Sequence, residues 1–335
     1  MEKGGRLIAV VTFILCWPVM AAGLAPESGD SKGGGASTSE DGPFAALGSV
    51  FHRPSHPPKF FASPTAKVLQ TLEVSLSAGS SFGERQGTGF LSRIGLGLGG
   101  VAEIEFSSTQ VANELTGREN RFPARTFKVN LIPDRWQDFP LMPLLAVQLR
   151  ATSWGAAVER NDALSPGLRE KFSDVNQGWQ LQSIGLQSRW TTFHFIAGKT
   201  GELGGIHGGI TLTDVRTKKG HQWYLEDEGP AIHTIPAQQK NLVAPFGGIM
   251  LNANSNTQLL AEVSQVPKLE YDVVKRAIEI RSTWAGVAGV RFFIGDWLSW
   301  DTGVRYLSTY DGIADAEINM ALNVVLAFNN LGRGE

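Results

Sequence analysis

Between Ala277 and Phe328 the chain alternates apolar and polar residues with a period of two through three successive runs, a pattern suited to β-strands with unlike faces. In the first run Ile278, Ile280, Trp284, Ala288, Val290, Phe292 and Ile294 share one face, and Glu279, Arg281, Thr283 and Arg291 share the other. The second sets Leu298, Trp300, Val304 and Tyr306 against Ser299, Asp301 and Arg305. The third sets Ile318, Met320, Leu322, Val324, Leu326 and Phe328 against Glu317, Asn319 and Asn323. Two architectures fit. A soluble sandwich turns its apolar faces into a core and its charges to water. A membrane barrel turns the apolar faces to lipid and the charges to a polar lumen. The expectation is the second, an all-β, up-and-down antiparallel transmembrane barrel, with a soluble β-protein as its rival.

The beginning of the chain points to a compartment. Lys3 and Arg6 precede an apolar run from Leu7 to Met20, and the small residues Ala21, Ala22, Gly23 and Ala25 follow, the three-part layout of a secretory signal over residues 1–25. The run is short for a membrane helix and is interrupted by Pro18. Its Cys16 is the only cysteine, and Leu15 stands where a lipoprotein signal would have a small residue. Beyond the signal there is thus no thiol for a disulfide framework or a thiolate metal site. Residues 26–66 are rich in Gly, Ser and Pro and read as a disordered periplasmic leader, with His52 and His56 as solvated linker residues rather than metal ligands. A mean hydropathy of -0.07 is too polar for a helical membrane bundle. A formal charge of -2, without a basic run carrying interleaved aromatics, gives no reason to expect nucleic acid.

The barrel is expected over residues 67–328, with a tail at 329–335. Val68, Leu72, Val74, Leu76 and Ala78 begin the alternation, and Gly99-Gly100 supplies a tight turn between the strand Gly89 to Leu98 and a third strand in which Ile104 and Phe106 alternate with Glu103, Glu105 and Ser107. Further strands are read at Ala124 to Leu131, Pro143 to Thr152, Gly178 to Ser188, Thr191 to Asp214, Leu242 to Asn252 and Thr257 to Val266, before the three runs above. Short links near Gly99, Arg189, Ser255 and Asp296 alternate with long ones through Glu114, Leu164, Glu226, Lys268 and Asp311, and a medium link covers 132–142. Short periplasmic turns and long external loops go with bacterial barrels of even strand number. Splitting Thr191 to Asp214 at Gly204-Gly205 would move the long link from Thr217 to Lys240 to the periplasmic side, so the segment is kept whole. The total is about twelve strands, with ten and fourteen as alternatives, and both termini in the periplasm. Trp136, Phe139, Trp190, Trp297, Trp300 and Phe328 then fall beside links at the periplasmic end, where aromatic rings favour the membrane boundary.

From about Lys67 onward the chain resembles bacterial outer-membrane β-barrel proteins of the porin-like, poorly characterised kind. The features that carry the resemblance are the glycine-turned hairpin Gly95-Leu96-Gly97-Leu98-Gly99-Gly100-Val101-Ala102-Glu103 and the last strand ending at Phe328. The resemblance implies the cell outer membrane of a Gram-negative-type bacterium, contact with outer-membrane lipid and lipopolysaccharide, and handling of the terminal aromatic strand by the barrel-assembly machinery. Asn329 to Glu335 trail beyond Phe328, a departure from a strictly C-terminal aromatic. The resemblance assigns no substrate.

Gly95, Gly97 and Gly100 match G-x-G-x-x-G, but a dinucleotide site needs a helix after the last glycine, and Val101 to Ser107 alternates as a strand. The loop Thr217 to Lys240 gathers His221, Glu226, Asp227, Glu228 and His233 without a metal-ligand spacing, so a solvated loop is expected and no metal or cofactor. His194 and His207 raise the alternative of a lipid hydrolase acting on the outer wall, but no nucleophile segment surrounds any serine. The residues expected to line or fill the lumen are Glu73, Arg93, Glu103, Glu105, Lys128, Arg150, Glu279, Arg281, Arg291, Asp301 and Arg305. Their mixed signs favour a passive, weakly selective channel for small polar solutes, with no catalytic residues. The alternative is a non-conducting scaffold or accessory barrel for envelope or polysaccharide export, whose leader recruits a periplasmic partner. A lipid-modifying barrel enzyme is the third reading.

Overall fold

The computed structural model describes residues 49–51, 56–82, 89–113, 120–132, 142–158, 168, 179–226, 229–272, 275, 277–310 and 312–329. The signal-like run, most of the leader, His52, Trp136 and Phe139 lie outside the described residues. In chain order the strands are β1 (Glu73–Phe82), β2 (Gly89–Leu98), β3 (Ala102–Asn113), β4 (Asn120–Asn130), β5 (Leu144–Thr152), β6 (Gly155–Val158), β7 (Trp179–Gly201) and β8 (Gly204–Thr217). They continue with β9 (Gly220–Glu226), β10 (Gly229–Ile235), β11 (Gln238–Asn254), β12 (Thr257–Asp272), β13 (Ala277–Gly295), β14 (Leu298–Leu307) and β15 (Glu317–Ala327).

Twelve of these form a closed antiparallel ring in the order β1, β2, β3, β4, β5, β7, β8, β11, β12, β13, β14, β15. The seam is the β1–β15 pairing, which runs from Glu73↔Ala327 to Phe82↔Ile318. β6 and β9 instead pair with the first half of β7, and β10 pairs with β9, so β7 continues beyond the ring into a small sheet of its own. Links at 99–101, 131–143, 202–203, 255–256 and 296–297 share one end with the beginning of β1 and the end of β15. The strands of the remaining links meet at the opposite end, for which 'outer end' is only a label.

The expected count of twelve holds, but two expected boundaries do not. Arg189 is not a turn: β7 runs unbroken for 23 residues because β6 and β9 supply it with partners above the ring. Arg189 lies 5.3 Å from the ring of Trp154. The break falls instead at Glu202-Leu203, where Gly204 has φ +139, a conformation that glycine adopts without a Cβ clash. One strand end removed and one added leave the parity unchanged, so Thr217 to Lys240 stays at the outer end. It is no open loop, since β9 and β10 form a hairpin within it. Trp190, expected beside a turn, is buried near the outer end.

The outward face of the ring is apolar. Leu76, Ile94, Leu96, Phe106, Phe127, Leu149, Phe193, Phe195, Leu212, Phe292, Trp300, Val304 and Leu322 are all exposed, with no second protein layer over them among the described residues. An exposed belt of this extent is far beyond what a soluble monomer presents and is what hydrocarbon solvates.

Candidate functional site: an occupied lumen

Twelve strands enclose more space than the eight whose side chains fill a barrel and less than the sixteen that leave a wide aqueous channel. The chain fills the excess with its own backbone. Residues 57–72, read from sequence as the end of a flexible leader and the start of the first strand, lie against the inner wall as a strap. Its base starts near the turn end, where Phe51 packs edge-on against Trp297 at 5.2 Å and the Val50 carbonyl accepts the Ala327 N–H at 2.9 Å. A tight hairpin follows, closed by Phe60 N–H donating to Ser63 O (3.0 Å) and Thr65 N–H to Pro58 O (3.2 Å). The strap then returns to the turn end to begin β1.

Inward-facing charges on the wall hold the strap through its backbone. The carboxylate of Glu262 on β12 accepts the N–H groups of Ala62 and Ser63, both at 2.9 Å, at the hairpin tip. Arg291 on β13 makes a buried bidentate pair with Asp301 on β14 (2.7 and 2.9 Å) and donates at 3.4 Å to the carbonyls of Lys59 and Phe60. His207 Nδ1 on β8 accepts Ala66 N–H at 3.2 Å. Glu103 on β3 accepts Leu69 N–H at 3.0 Å and pairs with Lys128 on β4 at 2.8 Å, while Lys128 also donates to Pro58 O at 3.4 Å. Each bond satisfies a strap group that water would otherwise solvate.

The apolar side chains of the strap enter gaps in the wall. Phe60 is buried against Met250 and Leu260, and Ala66 against Leu144, Ala146, Ile196 and Phe246. The gaps exist because inward positions are glycine. A Cβ on Gly97 would stand 1.9 Å from the Gln70 carbonyl oxygen. One on Gly248 would stand 2.9 Å from the Phe60 ring, and one on Gly289 or Gly303 would stand 2.8 Å from Phe61. Of the glycines matching the dinucleotide fingerprint, Gly97 thus has a packing reason and Gly100 a turn reason, at φ +70 like its neighbour Gly99.

The outer end closes differently. Phe122, Leu181, Ile184, Leu186, Trp190, Val215, Tyr224, Ile235, Leu269, Tyr271, Ile278 and Ile280 form one buried apolar cluster drawn from β4, β7, β8, β9, β10, β12 and β13. Tyr224 and Tyr271 hydroxyls meet at 2.7 Å within it and share Gln222. β3 and β12, six places apart around the ring, touch directly through a parallel bridge, Lys268↔Ala112 and Leu269↔Asn113. Opposite walls therefore meet at this end.

Nine of the eleven charged residues expected in the lumen face inward. Glu73 accepts Gln70 N–H at 2.8 Å. Arg93, Glu103, Glu105, Lys128 and Arg150 surround one small cavity. Arg291 pairs with Asp301, and Arg305 with Glu317 at 3.2 Å. Glu279 and Arg281 do not join them. The pairing of β12 with β13 runs unbroken past Pro267↔Ser282, but beyond it the covered side of β13 changes: Ile278 and Ile280 are buried in the outer cluster, and Glu279 and Arg281 lie on the opposite, more open face. There Glu279 pairs with Lys275 (2.6 Å) and Arg281 (2.7 Å). Hydrogen bonds to Glu279 and Asp272 hold the Lys275 ammonium above its usual pKa. Sequence reasoning missed Glu262, His207 and the strap itself. Glu262 sits on β12, a strand placed by its bounds alone, and His207 enters the sequence reading only as a candidate for chemistry on lipid.

With the belt outside and charges inside, the medium around the ring is settled. The chain is an outer-membrane-type β-barrel. No known protein-family profile matches it, and no curated protein does. Among solved structures, the translocator domain of autotransporter NalP from Neisseria meningitidis aligns with a TM-score of 0.44 at 10% identity, covering 84% of this chain and 92% of that one. The NanC porin aligns at 0.37 and 10% identity, covering 76% and 98%. The CymD monoaromatic hydrocarbon channel aligns at 0.39 and 10% identity, covering 77% and 89%. Among the described residues, no group of three or more His, Cys, Asp or Glu is arranged to hold a metal ion.

Proposed function

We propose that this chain is a non-conducting outer-membrane barrel, a scaffold whose interior serves to anchor its own N-terminal strap rather than to pass solutes. The observation that carries the reading is closure at both ends of the lumen, by the strap at the turn end and by the apolar cluster and the β3–β12 bridge at the outer end. The passive-channel reading keeps one support, the mixed-charge lumen, but it requires both closures to open. Chemistry on membrane lipid is not part of the proposal. His194 lies between the outward-facing Phe193 and Phe195 and so points inward, and His207 is buried under the strap, so neither imidazole meets lipid. The scaffold offers its turn end, where Val50 and Phe51 dock, to a periplasmic partner, and its belt sits in outer-membrane lipid.

Planar-bilayer recording tests the proposal with the full chain and with a variant lacking residues 26–70. Both are expected to insert without conductance steps, because removing the strap leaves the outer closure intact. Steady steps from the full chain would overturn the scaffold in favour of an open channel. Steps from the shortened variant alone would overturn it in favour of a channel gated by the strap.

A further inference from the structure

A cavity of about 50 Å³ remains between the strap and the wall, room for several water molecules or one small polyatomic ion. Lys59, Arg93, Lys128 and Arg150 face it against Glu103 and Glu105, an excess of two positive charges. Glu103 is taken up by Lys128 at 2.8 Å. Lys59 donates to Ser77 Oγ at 2.7 Å and Arg150 to Ser107 Oγ at 3.1 Å. Among the described residues no ion pair engages Lys59, Arg93 or Arg150, which leaves Glu105 as the one carboxylate near three cations.

The hydrogen-bond inventory shows the same imbalance. Three buried nitrogens around this cavity lack partners, Arg150 Nε, His194 Nδ1 and Asn323 Nδ2. The amide oxygen of Asn323 already accepts from Ser77, so its nitrogen is the donor side. Guanidinium and amide nitrogens only donate, and an imidazole nitrogen donates in one of its tautomers. The side-chain oxygens without partners, such as those of Thr65, Thr126 and Gln258, are not in its lining, though Thr126 stands beside Glu105 and Arg150 in the sheet. The cavity is thus short of acceptors and of negative charge together. Water supplies acceptors but no charge, and buried charge without a counterion is strongly disfavoured.

We propose that this cavity is a binding site for one small oxyanion of the size and chemistry of inorganic phosphate or a short carboxylate, held between Arg93 and Arg150 with Lys59 of the strap. The planar forks of the two arginines suit such an oxyanion, and Lys59 makes the bound ion a bridge between strap and wall. The inference does not depend on whether the barrel conducts.

Titration calorimetry and thermal unfolding of the full chain in detergent test it, with inorganic phosphate and acetate in separate arms. One saturable site is expected in at least one arm, together with a raised unfolding midpoint; which arm responds identifies the anion. Arg150→Gln is expected to weaken binding about tenfold, as for a lost charge-assisted hydrogen bond. Glu105→Gln is expected to strengthen it, which a merely structural cluster would not do. Folding of each variant is checked by its heat-modifiable migration on gels, and Arg93→Gln replaces Arg150→Gln if the latter does not fold. No saturable binding of either anion at tens of millimolar, or affinity unmoved by both the arginine and the Glu105 substitutions, would overturn the proposal.

Discussion

At the scale of single residues, some inner-wall charges support both wall and strap, and others support the strap alone. Arg291 and Asp301 are almost fully buried and share two hydrogen bonds, so losing one partner strands the other in a dry site. Arg291→Met should cost about 3–5 kcal/mol in urea unfolding from detergent, and Arg291→Met with Asp301→Leu much less, since the pair then leaves no orphaned charge. Glu262 on β12 supports the strap alone. Glu262→Ala leaves the N–H groups of Ala62 and Ser63 without an acceptor, at about 1–3 kcal/mol each. Limited proteolysis should then cut within 57–66 while the barrel keeps its heat-modifiable band; an uncut strap would contradict this role for Glu262. Nine of the inward charges were legible from alternation alone. Glu279 and Arg281 were not, because a period of two says which residues share a face but not which face is covered, and beyond Pro267 it is the face of Ile278 and Ile280 that packs into the outer cluster.

At the scale of elements, the ring was legible wherever apolar and polar residues alternate cleanly, as in β13, β14 and β15. It was misread in β7 and β8. Arg189 follows the weakly alternating stretch that ends at Gln187-Ser188 and so resembles a turn, while Glu202-Leu203 offers only two residues between long strands, with Leu203 83% exposed. Nothing local distinguishes the two; the decisive factor is the remote pairing of β7 with β6 and β9. Two substitutions test the element assignments. Val290→Arg lies on the outward face of β13 opposite Leu259 and should impair insertion, by about 2–4 kcal/mol at mid-membrane depth, as read by folding yield into lipid vesicles. Gly97→Val on β2 should displace the strap near Gln70 and expose it to protease without unfolding the ring. Wild-type yield in the first case, or a protected strap in the second, would contradict those placements.

At the scale of the whole molecule, strand number and interior fit one another. A ring of twelve is too wide for side chains alone to fill, and the chain supplies a polar backbone hairpin at one end and a collapsed apolar end at the other. That interior was the part least legible in the sequence. The stretch around Pro57, Pro58 and Pro64 has the composition of a linker, and its order arises from distant partners such as Glu262, Arg291 and His207. Its location can be read from thiol chemistry, because Cys16 is the only natural cysteine and falls within the signal-like run. On a Cys16→Ser background, Ser63→Cys places a thiol at the hairpin tip, and Leu203→Cys places one at an exposed turn. In the folded barrel a hydrophilic maleimide should label position 203 at once and position 63 only after unfolding. Prompt labelling at both positions, with the ring still folded, would mean that the strap does not occupy the lumen.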